Sequence, residues 1–151
     1  MAGILLIAML ACYTPRQIQA EREAIAQFAV LEESIYVPPD ATLLAEVYFS
    51  GRSHEYASAG MERVYASTLS CEEIVAEYLE AMTDSGWTAT IMGNCDEVIW
   101  LSMRNADGAY FAIESGTPEE SRLSDKWQLL QEQYDGLYYV LSNLTVWYEE
   151  P

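Results

Sequence analysis

Hydrolysis, group transfer or metal chemistry would have to start from a small set of side chains in this sequence. His54 is its single histidine, so a Ser-His-Asp relay would have to run through it. It stands in Ser53-His54-Glu55 with no nucleophile-elbow pattern nearby, and it reads as an exposed loop histidine. Zinc needs several Cys or His ligands at paired spacings. One histidine and three scattered cysteines, Cys12, Cys71 and Cys95, do not supply them. No Cys-x-x-Cys-His, Gly-rich phosphate loop or Asp/Asn-alternating calcium loop occurs. Adjacent carboxylates stand at Glu72-Glu73, Asp96-Glu97 and Glu119-Glu120. A carboxylate pair works as acid and base only where a cleft separates the two pKa values. Glu73 and Glu120 already have local work near the positive end of a helix. The expectation is no catalytic residue, no metal ligand and no cofactor.

The elements that would position these residues are marked by local signals. Thr14-Pro15-Arg16-Gln17 is a helix start, with a capping Thr, Pro at the first turn and Gln completing the box. The helix runs to about residue 33, before Pro38-Pro39, with Ile18, Ile25, Phe28 and Leu31 as its apolar stripe. Residues 43–50 read as a strand, 50–60 as a polar Gly- and Ser-rich connection, and 61–70 as a second strand. Ser70-Cys71-Glu72-Glu73 opens a helix whose apolar face is Ile74, Val75, Tyr78, Leu79 and Met82. Asp84-Ser85-Gly86 ends it. Strands follow at 87–92, 97–104 and 109–114, the last two joined by the Asp107-Gly108 turn. Thr117-Pro118-Glu119-Glu120 opens another helix with Leu123, Trp127, Leu130 and Tyr134 on one face. The segment 137–148 alternates as a final strand, with Tyr138, Val140, Leu144, Val146 and Tyr148 on one side.

The fold class is therefore α+β. A mostly antiparallel sheet with core order β-β-α-β-β-β carries helices on one face, preceded by an N-terminal helix. The chain divides into an apolar segment at 1–11, a helical stalk at 12–37 and a single α+β domain at 38–151. A hydrophobic content of 51% is ample for a core. Trp87, Trp100, Trp127 and Trp147 fall on core elements and read as structural. Net charge is −17, from 24 acids against 7 bases. That field repels phosphate backbones, which excludes nucleic acid as a natural partner, and it attracts a basic protein surface.

The unbroken apolar run from Gly3 to Ala11 is too short to span a bilayer, which takes roughly 20 residues. It fits the apolar stretch of an export signal. Met9-Leu10-Ala11-Cys12 resembles the lipobox of bacterial lipoproteins, with Ala11 in the small position before the cut. The resemblance implies cleavage before Cys12, lipid on that cysteine, and an extracytoplasmic, membrane-anchored chain, in the periplasm or on the outer face of the cell membrane. A retained apolar arm or a buried segment is the alternative reading. With Cys12 lipidated, Cys71 and Cys95 are left as a natural disulfide pair. Closing that loop is worth about 3–4 kcal/mol on the chain-entropy model. Two buried free thiols are the alternative. Residues 38–114, with the Pro38-Pro39 lead-in, the strand containing Arg63-Val64-Tyr65, the Ser-capped helix and Gly86-Trp87, also resemble small exported bacterial domains. That resemblance implies architecture and export more than chemistry.

The expected role is a lipid-anchored, non-enzymatic accessory subunit of a membrane assembly. A respiratory or photosynthetic electron-transfer complex is one concrete host. Partners would be the membrane, through covalent lipid, and other subunits with a basic or apolar docking surface. The alternatives are a free-standing binding module for a glycan or peptide, using exposed Tyr and Trp, and a carboxylate-based hydrolase.

Overall fold

A computed structural model describes residues 15–52, 56–115 and 137–148. Helix α1 (Pro15–Ser34) buries Gln17, Ala24 and Phe28. Ile25 stays 46% exposed. Phe28 and Leu31 of the expected stripe pack on the core, while toward the start of the helix the buried line runs through Gln17 and Ala24, one residue before Ile18 and Ile25. Small residues explain the offset. Ala24 on α1, and Ala57 and Ala59 on the sheet, are all buried in the common core, and their size permits a close approach of helix to sheet. The segment read as a stalk is therefore docked on the domain.

Strand β1 (Thr42–Arg52) and strand β2 (Tyr56–Ser67) form an antiparallel hairpin that pairs as far as Arg52 with Ala57. The polar stretch at 50–60, expected as a connection, is mostly strand. Its Gly, Ser and Ala residues have poor intrinsic β preference, but they lie beneath α1, and tertiary context decides. His54 lies outside the described residues.

Helix α2 (Cys71–Asp84) starts as its sequence dictates. The Ser70 hydroxyl accepts from the Glu73 amide and the Glu73 carboxylate accepts from the Ser70 amide. It ends in a Schellman motif. The Trp87 amide donates to the Met82 carbonyl, the Gly86 amide donates to the Thr83 carbonyl, and Gly86 takes φ 86°. Ile74, Tyr78 and Met82, spaced by four, are fully buried, each contributing about 1.5–3 kcal/mol of burial.

Strands β3 (Thr88–Met92), β4 (Ile99–Arg104), β5 (Tyr110–Ser115) and β6 (Leu137–Tyr148) complete one six-stranded sheet of order β1-β2-β6-β5-β4-β3. Every neighbouring pair is antiparallel. The fold is α+β, and the β-β-α-β-β-β core order holds from β1 to β5, with β6 following as a seventh element. The last strand is inserted at the centre, joining the β1–β2 hairpin to the β5–β4–β3 meander. The helix read at 117–134 lies outside the described residues.

Both helices pack on the same sheet face. Tyr65 of β2 stacks on Tyr139 of β6 at 5.4 Å, and the Tyr139 hydroxyl meets the Tyr78 hydroxyl of α2 at 3.3 Å. Trp87 packs edge-on against Phe111 at 5.0 Å. Burial holds the Tyr78 and Tyr139 phenols above the ordinary tyrosine pKa. Tyr139 and Leu141 are fully buried, so the core draws on the side of β6 opposite to the alternating set read from sequence. Both alternating sets of residues 137–148 carry large apolar side chains, so alternation alone does not tell which side meets the helices. Val64, Ser102 and Ala112 are fully buried on the sheet's second face. Among the described residues no helix is long and apolar enough to cross a membrane.

Candidate functional site

The disulfide organises the most distinctive surface of the domain. Cys71, the first residue of α2, is bonded to Cys95, just beyond β3, across a Cα–Cα distance of 5.9 Å. It ties the start of the helix to the far end of the strand that follows it. Between them lies a groove of about 390 Å³, walled by Val75, Ala76 and Leu79 of α2 and by Met92, Gly93 and Cys95. Glu72 is the single charged residue in that lining. Gly93 is required where it stands, because a Cβ there would fall 2.0 Å from the Ile99 carbonyl oxygen. Its amide donates to the Trp100 carbonyl at 3.0 Å, which holds the chain against β4 as it leaves β3.

Met92, in the lining, is 64% exposed, and the strand edge beside it is apolar on both faces, since Ile91, paired with Ser102 on the far face, is 45% exposed. β3 is the last strand of the sheet, and its sequence Thr88-Ala89-Thr90-Ile91-Met92 contains no charge. Around it the field is one-sided: residues 71–98 hold seven acids and no Lys or Arg. Glu73 is committed to the cap, and its bond from Ser70 draws its carboxyl below the ordinary glutamate range. Glu77 accepts from the Tyr36 hydroxyl at 2.9 Å. Glu97 accepts from the Asn94 amide and steadies the turn after β3. The adjacent carboxylates are thus dispersed: Glu72 faces the groove, Glu73 the cap and Glu97 the turn, while Glu119 and Glu120 lie outside the described residues.

A second polar cluster pins α1 to the sheet. From β2 the Arg63 guanidinium donates to Glu32 of α1, to Glu46 of β1 at 3.2 Å and to the Tyr48 hydroxyl at 2.8 Å. Partial burial opposes the charge on Arg63, but the bond to Tyr48 and the field of Tyr65, Tyr48 and Glu32 outweigh it and hold the guanidinium more firmly protonated. Beside it, Ile25, Phe28, Tyr48 and Ala59 line a smaller depression of about 230 Å³. Asp40, ahead of β1, braces the turn that leaves β2. One of its carboxylate oxygens accepts from the Ser67 hydroxyl at 2.6 Å and the Thr68 amide at 3.0 Å, and these bonds, Ser67 foremost, lower its pKa.

Of the site residues read from sequence, Cys71 and Cys95 are brought together and Cys12 lies outside the described residues. Trp87 and Trp100 are buried in the core. No group of three or more His, Cys, Asp and Glu that could hold a metal occurs among the described residues. Val75 and Leu79, on the apolar face of α2, pack against the core and also line the groove; the sequence signal for its apolar edge is the absence of charge in β3. No family model matches the chain, nor does any curated protein or solved structure.

Proposed function

We infer that this chain is a non-catalytic, extracytoplasmic interaction module, held at a membrane through lipid on Cys12 and serving as an accessory subunit of a membrane protein assembly. The observation that carries the reading is the Cys71–Cys95 disulfide bordering an exposed apolar groove. Disulfides persist where the surroundings are oxidising. Exposed apolar clefts with an acidic margin are suited to protein partners. The −17 net charge makes a basic partner surface the favoured one. A free-standing peptide-binding module is the second reading, favoured by the same groove.

Intact mass and native purification test this together. The expected product lacks residues 1–11, carries acyl chains on Cys12, shows no alkylatable thiol at Cys71 or Cys95, and leaves gentle detergent extraction within a larger complex. Elution alone, with lipid in place, selects the free-standing module. A cytosolic chain with an unmodified Cys12 thiol overturns the reading.

A further inference from the structure

We propose that the outer edge of β3 and the α2–β3 groove form a docking site for an extended, basic and apolar segment of another protein, which adds to the sheet as a seventh strand. The proposal rests on the interaction-module reading above and names its partner class and its place.

Three features of the fold converge on that edge. β3 ends the sheet, and among the described residues no strand lies outside it, so its outer peptide groups face the margin where a guest backbone would pair. The two edges of the sheet differ in charge. Both carry a bulge, between Leu43 and Ala45 in β1 and between Ala89 and Ile91 in β3. β1 adds Glu46, engaged by Arg63, and Glu21 of α1 reaches it through the Ser50 hydroxyl. β3 has no charged residue, and four of its five residues are exposed. Charge on an edge strand is the usual guard against pairing, and this edge lacks it.

The groove then supplies side-chain selection. In an added strand, alternate side chains point to the helix side. There they meet Val75, Ala76, Leu79 and Met92, which suits an apolar residue at every second position. The residues between them point to the opposite side of the strand, within the field of residues 71–98, which hold seven acids and no base. That field selects lysine or arginine. It also argues against a second copy of the chain, since each copy carries −17. The Cys71–Cys95 bond fixes the separation of the two walls, so the cleft is formed before the guest arrives.

The test uses the oxidised full chain and a fluorescein-labelled peptide of alternating lysine and valine, about eight residues long, with a glutamate–valine peptide of equal length as control. Fluorescence anisotropy reports binding and amide hydrogen exchange reports its place. The expected result is binding of the lysine–valine peptide alone, with slowed exchange confined to 88–92 and the flanking turn. Met92→Lys and Ile91→Lys change side chains that are 64% and 45% exposed, so the fold tolerates them. Each should weaken binding by about tenfold or more. Absence of binding overturns the site. So does binding that is indifferent to both variants, which reports unspecific charge attraction. A dimer in sedimentation that Met92→Lys dissolves also overturns it, because the occupant is then a second copy. The result is separable from the subunit reading: loss of peptide binding with co-purification intact overturns this site alone, and the converse overturns the subunit reading alone.

Discussion

The two helices rest on one sheet face but are held there by different forces. α2 is fastened by bulk: Ile74, Tyr78 and Met82 are fully buried, Trp87 closes its end, and a disulfide clamps its start. α1 is fastened by small residues and charge. Ala24 and Phe28 are its buried apolar contacts, and Arg63 ties its last turns to two strands through Glu32, Glu46 and Tyr48. The α2 side is therefore a rigid wall suited to presenting a groove. The α1 side depends more on ionic strength, through the Arg63 cluster.

The largest expected effect separates the two sides directly. Tyr78 touches Tyr36, Phe111 and Tyr139 and donates to or accepts from the Tyr139 hydroxyl. Tyr78→Ala should cost about 3–5 kcal/mol in urea unfolding, through the cavity and an orphaned phenol. Tyr78→Phe keeps the ring and should cost about 1–2 kcal/mol, from the orphaned Tyr139 hydroxyl alone. Equal losses for the two variants would mean that the hydroxyl pair, and not bulk, fastens α2.

Next comes the clamp. Cys71 and Cys95 are 24 residues apart in sequence, a loop whose closure is worth about 3–4 kcal/mol. The double variant Cys71→Ala, Cys95→Ala should lose that amount and speed hydrogen exchange at the start of α2 and in residues 92–98, while α1 amides exchange at their former rate below the unfolding transition. Faster exchange spread evenly over α1 would show that the two sides are one cooperative unit.

What could be read in advance follows the same division. The α2 side was legible because its signals are local: the Ser70–Glu73 box, the four-residue spacing of Ile74, Tyr78 and Met82, and the Gly86 stop all act within a turn or two of helix. The α1 side was read less well. Phe28 and Leu31 of its stripe lie on the core, but the N-terminal half of the stripe is one residue off and the far half of the hairpin reads as a connection, because Ala24, Ala57, Ala59 and Gly60 carry no apolar signal until a helix and a strand distant in sequence meet. The insertion of β6 between β2 and β5 is likewise non-local, and it decides that Tyr139 and Leu141 face the helices. The groove depends on topology too. Met92 is exposed because β3 ends the sheet, and only the pairing of the cysteines was available from residue types.

A smaller effect is expected at the ionic fastening. Arg63→Met keeps the apolar stem but leaves Glu32 and Glu46 facing each other without the cation between them. The expected loss is about 1–2 kcal/mol, since both carboxylates retain access to water. It should shrink at high salt, which screens the remaining repulsion. A salt-independent loss would assign the role of Arg63 to packing.

The smallest effect lies at Asp40, between the two sides, and pH isolates it. Hydrogen bonds from Ser67 and Thr68 hold its folded pKa below the unfolded one. A depressed carboxyl stabilises the fold above the unfolded pKa, near 3.9 for a free aspartate, and that contribution is lost as pH falls through the folded value. Asp40→Asn should therefore cost about 1 kcal/mol or less at neutral pH, since the carboxylate is only partly covered. The gap between the two proteins should close in acid below about pH 4, once the wild-type carboxyl is protonated. Taking the difference matters in a chain of net charge −17. Acid also relieves the repulsion among all the other carboxylates, and that relief is common to both proteins and cancels. A gap that persists unchanged into acid would mean that the shape of the Asp40 turn, and not the charge it carries, braces the chain as it leaves β2.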